Sequence, residues 1–148
     1  MGKKKVSQQT QEEALKDKEK METAISKVKV AGKKLDKGRV YIRASYNNTL
    51  VTVTDDKGNA VAAASAGSLG FSGPKKATPF AASKVIAAIA EKLKKTGLVN
   101  IEVYVIGVGG GRDSAVRSLA NQGFNILLIK DMTPIPHNGP RPRKVRRV

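Results

Sequence analysis

Between residues 39 and 93 the spacing of apolar side chains changes from every second residue to every third or fourth, and this change limits the fold more than any other feature. In Arg39-Val-Tyr-Ile-Arg-Ala-Ser45, Val40 and Ile42 alternate with Arg39, Tyr41 and Arg43. Leu50-Val-Thr-Val-Thr54 alternates again, and residues 60–66 form a third run, built of small side chains. A period of two places the apolar side chains of a strand on one face. Asn47-Asn48 and Asp55-Asp-Lys-Gly-Asn59 supply turn chemistry between the runs, so an antiparallel meander is expected. At Thr78-Pro79 the period lengthens. The Thr78 side chain can accept from free helix N–H groups, and Pro79 suits the first helical position, where its missing N–H costs nothing. Ala82, Val85, Ile86, Ile89 and Leu93 then share one helical face, with Lys84, Glu91, Lys92, Lys94 and Lys95 off it or at its end. Gly97 is placed to close the helix in the left-handed conformation.

Residues 99–106 read as a further strand, with Val103, Val105 and Ile106 expected to be deeply buried. A glycine-rich turn leads to a second helix over about residues 113–122, capped by Asp113 and stopped by Gly123, and residues 124–129 read as a last strand. A meander followed by strand–helix–strand–helix–strand implies a single α/β domain, a mixed sheet with helices packed on it. Its expected limits are residues 38–132. Residues 1–37 read as a Lys-rich extension, mostly solvated and partly helical, with Leu15, Met21, Ile25 and Val28 forming only a thin apolar stripe. Residues 133–148 cannot be regular, because Pro134, Pro136, Pro140 and Pro142 block both helix and central strand.

The formal net charge is +16, from 28 Lys and Arg against 12 Asp and Glu. Like charges oppose compaction, so such an excess points to a polyanionic partner, nucleic acid before an anionic membrane surface. Residues 1–37 hold eleven Lys and six acids, while residues 137–148 hold five basic residues and no acid, so the C-terminal tail is the densest positive segment. There is no cysteine and one His, which removes disulfides, thiol nucleophiles and Cys- or His-cluster zinc sites. No metal and no cofactor is expected. Residues 1–37 fit neither a secretory signal nor a transit peptide, and no apolar run is long enough to span a bilayer, so the cytoplasm is the expected location.

Gly107-Val-Gly109-Gly-Gly111-Arg112-Asp113-Ser114 precedes a helix. Glycines let a backbone approach a phosphate, and a helix start presents free N–H groups. A P-loop would need Gly-Lys followed by Ser or Thr, which is absent, and the dinucleotide fingerprint would need glycine where Arg112 stands. Contact with an RNA backbone and a plain strand–helix turn both remain open, with Arg112 the expected phosphate partner. In the glycine-rich stretch from Gly67 to Lys76, Phe71 lies beside Lys75 and Lys76; it either stacks on a base or anchors the loop to the core. His137 has no second ligand nearby and is expected to pack or to touch RNA. A nuclease needs several acids converging on metal ions. Asp55 and Asp56 fall in a turn and Glu102 is alone on its strand, so no enzyme is expected.

Five motifs occur in order: Ser45-Tyr-Asn-Asn-Thr49, Gly67-Ser-Leu-Gly-Phe71, Thr78-Pro-Phe-Ala-Ala82, the 107–112 glycine loop, and Asp131-Met-Thr-Pro-Ile-Pro-His-Asn-Gly139 before a basic tail. Over roughly residues 38–148 the chain resembles the universal small-subunit ribosomal protein eleven family in its bacterial form. The resemblance implies a ribonuclease H-like fold without an active site. It also implies a structural role on the platform of the small subunit, binding small-subunit rRNA near the mRNA exit path and the Shine–Dalgarno cleft. Ribosomal proteins seven, eighteen and twenty-one would be neighbours. The implied rRNA contacts are Asn47, Asn48, Lys75, Lys76, Gly109, Gly111, Arg112, His137, Asn138, Arg141, Arg143, Lys144, Arg146 and Arg147. The chain departs from the family pattern at Ser72, usually Arg, at Val108 and Gly110, where proline is usual or frequent, and at Pro140, often Cys in bacteria. Without those prolines the glycine loop should be more mobile when unbound. The extension is longer than the minimal family form, and the sequence assigns it no partner.

Overall fold

A computed structural model describes residues 35–145, together with the exposed helical positions Leu15, Lys16, Glu19, Glu22 and Thr23. The remaining N-terminal residues, and Arg146 and Arg147 in the tail, lie outside the described residues. Leu35 rests against the core and donates its N–H to the Thr96 carbonyl at 3.2 Å.

The three alternating runs form β1 (Lys37–Ala44), β2 (Thr49–Thr54) and β3 (Ala60–Ser65), paired antiparallel in sequence. Their turns are made by side chains as much as by backbone. Asp55 Oδ1 accepts from the N–H groups of Lys57 and Asn59, both at 2.9 Å, which fixes the β2–β3 turn and explains a buried carboxylate there. The chain then runs through a short 3-10 turn (Gly73–Ala77) into α1 (Pro79–Leu93). Thr78 Oγ1 accepts from Ala81 N at 3.2 Å, as the cap reading requires. A second 3-10 turn (Lys94–Thr96) follows α1, and Gly97, at φ 75°, ends it in the left-handed region.

β4 (Asn100–Ile106) and β5 (Asn125–Asp131) flank α2 (Arg112–Asn121). Both strands join the sheet in parallel, giving the order β3-β2-β1-β4-β5. The result is one mixed five-stranded sheet with two helices. Val40 lies between Val53 and Val103, and Ile42 between Val51 and Val105, so the alternating runs stack into one apolar face. That face meets α1, whose Val85, Ile86, Ile89 and Leu93 are buried as expected. Ala81, Ala88 and Ala90 are buried too, and α2 packs beside α1.

Three expectations change. Ile106 is half-buried, because β4 alternates and puts Glu102, Tyr104 and Ile106 on the uncovered face of the sheet. Asp113 does not cap α2. The cap position is Gly111, without a side-chain bond, and Asp113 sits in the first turn, where its charge favours the positive end of the helix dipole. The last strand continues past residue 129 to Asp131, since Lys130 and Asp131 still pair with Tyr104 and Val105.

Candidate nucleic-acid interface

The parallel pairing of β1 with β4, and of β4 with β5, brings three strand ends to one edge of the domain, where α1 and α2 also start. Four of the sequence motifs meet there. Gly109 N donates to the Ala44 carbonyl at 3.0 Å, which ties the glycine loop to the β1–β2 turn. A β-carbon on Gly109 would collide with the Ser45 carbonyl, and one on Gly107, at φ 99°, with the Ala44 carbonyl. Gly111 lies against Thr49 and Ala82, and Gly110 faces Ala77 across the loop before α1.

The close approach has a consequence for the implied contacts. Gly109 and Gly111 are buried, and the loop meets solvent at Val108 and Gly110. The glycines are therefore needed for backbone packing. In the β1–β2 turn, Asn47 is exposed, and Asn48 is half-buried with its Oδ1 accepting from Thr49 N at 2.9 Å. No protein acceptor meets the Asn48 side-chain N–H groups among the described residues, which leaves two donors for a ligand. Lys75 is exposed and Lys76 half-buried.

Arg112 takes a different place from the one expected of a phosphate partner. Its Nη2 meets Asp131 Oδ2 at 2.6 Å, and its Nη1 donates to the Gly107 carbonyl and, at 3.3 Å, to Thr133 Oγ1. Asp131 Oδ1 in turn accepts from Thr133 N at 2.9 Å and Thr133 Oγ1 at 2.6 Å. The Thr133 hydroxyl first, and then the Arg112 guanidinium, hold the Asp131 carboxyl well below the usual carboxylate range. This clasp pins the root of the C-terminal tail to the glycine loop. Beyond it, His137, Asn138, Arg141, Arg143 and Lys144 are exposed, and Asn138 occupies the left-handed region at φ 53°, which Asn tolerates.

Phe71 anchors its loop: it is half-buried against the core, edge-on to Phe80 with ring centroids 6.1 Å apart. Phe80 is the residue that sequence reading missed. It is 60% exposed, with Lys84 Nζ 5.5 Å from its ring centre. The signal was present, since an aromatic two residues after a cap and a Lys one turn later share a helix face.

The carboxylates stay apart. Asp55 serves its turn, Asp131 the clasp, and Glu102 accepts from the Tyr104 hydroxyl at 2.9 Å and lies 3.4 Å from Arg39 Nε. Among the described residues no group of three or more His, Asp or Glu side chains could hold a metal ion, and no helix is long and apolar enough to cross a membrane.

A mixed α/β domain that gathers the β1–β2 turn, the glycine loop and the root of its basic tail at one end, with no cluster of acids among the described residues, has the make-up of a polyanion-binding protein. Comparison with known proteins makes this specific: residues 38–147 match the family described as Ribosomal protein S11, and the chain belongs to that family. It is 50% identical over 125 residues to the small ribosomal subunit protein uS11 of Treponema pallidum strain Nichols, covering 84% of this chain and 99% of that one. The protein of the same name from Nautilia profundicola is 49% identical over 125 residues, 84% of this chain and 96% of that one. The one from Caldicellulosiruptor saccharolyticus is 53% identical over 116 residues, 78% and 89% of the two chains. Family membership makes this chain a structural, non-enzymatic constituent of the small ribosomal subunit, associated with rRNA and located with the ribosome in the cytoplasm.

Proposed function

We propose that the end of the domain where the turns converge grips small-subunit rRNA in the platform, near the mRNA exit path and the Shine–Dalgarno cleft. Ribosomal proteins seven, eighteen and twenty-one are its neighbours in this reading. One observation carries it: the Arg112–Asp131–Thr133 clasp roots the most basic segment of the chain beside the glycine loop and the β1–β2 turn. Asn47 and Asn48 offer amides, Lys75, Lys76, Arg141, Arg143 and Lys144 offer charge, and His137 and Asn138 add exposed polar side chains just ahead of the tail's arginines. Gly109 and Gly111 shape the loop from within, and Arg112 holds it to the tail. Arg146 and Arg147, outside the described residues, extend the same charge.

Affinity for a platform rRNA fragment and for an unrelated duplex, each across a salt series, tests the reading. The fragment is expected to bind at least about a thousandfold tighter at physiological salt, the lower end of specific recognition. Arg112→Ala should erode that preference, because it frees the tail root. Equal affinities that fall together as salt rises would reduce the protein to a polycation and sink the proposal.

A further inference from the structure

β5 is an edge strand whose middle the described residues leave largely exposed. Leu127, Leu128 and Ile129 are 53%, 44% and 57% exposed, and Met132, just beyond, is 45% exposed. Among the described residues the strand pairs with β4 alone, so its outer side presents a row of backbone N–H and C=O groups with no strand beside it. α2 packs mainly on α1 and β1 and reaches β5 at the Arg112–Asp131 pair. A groove of about 330 Å³ opens there, lined by Val105, Arg112, Asp113, Val116, Arg117 and Ile129. The opposite edge, β3, differs: its sequence is Ala-Val-Ala-Ala-Ala-Ser, with little side chain to bury.

The chemistry of the edge selects its occupant. RNA has no alternating ladder of donors and acceptors to match a strand, and the exposed side chains along the middle of β5, Leu127, Leu128 and Ile129, are apolar. A second copy would bring a further +16 of charge to the contact. Arg117 and Lys130 are exposed and make no ion pair among the described residues. The complement is an extended protein segment carrying apolar side chains and a carboxylate.

We propose that β5 is a docking edge at which such a segment of a neighbouring subunit protein adds as a sixth strand. Its alternate side chains cover Leu128 on one face of the sheet and enter the groove beside Ile129 on the other. Its carboxylate faces Arg117 or Lys130. This inference rests on the ribosomal reading above for the presence of a neighbour, and it is independent of which rRNA is bound.

Photocrosslinking tests it. The full chain, with a benzophenone side chain in place of Leu128, is assembled into small subunits and irradiated, and the adduct is mapped by mass spectrometry. The expected adduct joins β5 to an apolar segment of another protein that contains Asp or Glu. Leu128→Arg, or Lys130→Glu should the first variant unfold, is expected to lower that protein's occupancy at least about tenfold, as for loss of an interface anchor. The rRNA affinity of Leu128→Arg should stay within about twofold, since position 128 lies back along the strand from the clasp; Lys130→Glu, next to Asp131, is read by occupancy alone. An adduct to rRNA, to a second copy or within the chain, or none in assembled subunits, overturns the docking edge. A wild-type chain that shows no rRNA preference fails the ribosomal reading instead.

Discussion

A β-carbon at position 109 would meet the Ser45 carbonyl group, so Gly109→Ala must push the glycine loop away from the β1–β2 turn. The expected cost is about 1–3 kcal/mol of stability, the usual range for forcing an atom into a packed site, read by urea denaturation. In the sequence, Gly109 and Gly111 looked equally suited to cradling a phosphate, because both uses need the same missing side chain. Burial alone separates them, and burial is not written in a glycine run. The Arg112 partner was hidden for a related reason: Asp131 and Thr133 lie about twenty residues away and meet Arg112 only once β5 is paired. Asp131 also sets a pH dependence. Its carboxyl is held below the ordinary value of 3.8, so the clasp's contribution is complete above that value and fades only as pH falls below it. Amide protection at Thr133 should therefore be unchanged from about pH 7 to 5, and an earlier loss would contradict the clasp.

Among the elements, α1 was the most legible, since cap, first-turn proline and apolar stripe agreed. Thr78→Ala removes the oxygen that accepts from Ala81 N and should cost about 0.5–2 kcal/mol by thermal denaturation. What the stripe did not disclose was its width. Ala81, Ala88 and Ala90 are buried outside the expected stripe; the Ser83 and Ser118 hydroxyls, 3.0 Å apart, join the two helices. β5 was under-read in length, because a Lys-Asp pair ends an apolar run in sequence while the backbone ladder carries on. Which strands become edges depends on sheet order, a property of the assembled domain.

For the whole molecule, charge was legible as a sum and as a density along the chain, but its placement was not. The tail stands beside the turns only because β5 runs parallel to β1 and β4 and ends where they do. Truncation after Pro140 removes Arg141, Arg143, Lys144, Arg146 and Arg147. If each neutralises a phosphate, the slope of log affinity against log salt should fall by roughly 3–5, measured by filter binding. The melting temperature should not move, because Arg141, Arg143 and Lys144 lie fully on the surface.

The mixed pairing of β1 also bears on time. Ala44 reaches Thr49 across one turn, while Lys37 must wait for Asn100. At a synthesis rate of about 5–20 residues per second, roughly 3–12 s separate the completion of β1 from that of β4. A hairpin closes in about 1–10 μs, so the antiparallel half can form and reopen many times before its parallel neighbour exists. Until then Val40, Ile42, Val51 and Val53 face an unfinished core. Pulse-labelled amide exchange on arrested nascent chains should find β1 and β2 sheltered before β4 and β5, and the reverse order would mean that the remote pairing nucleates the domain.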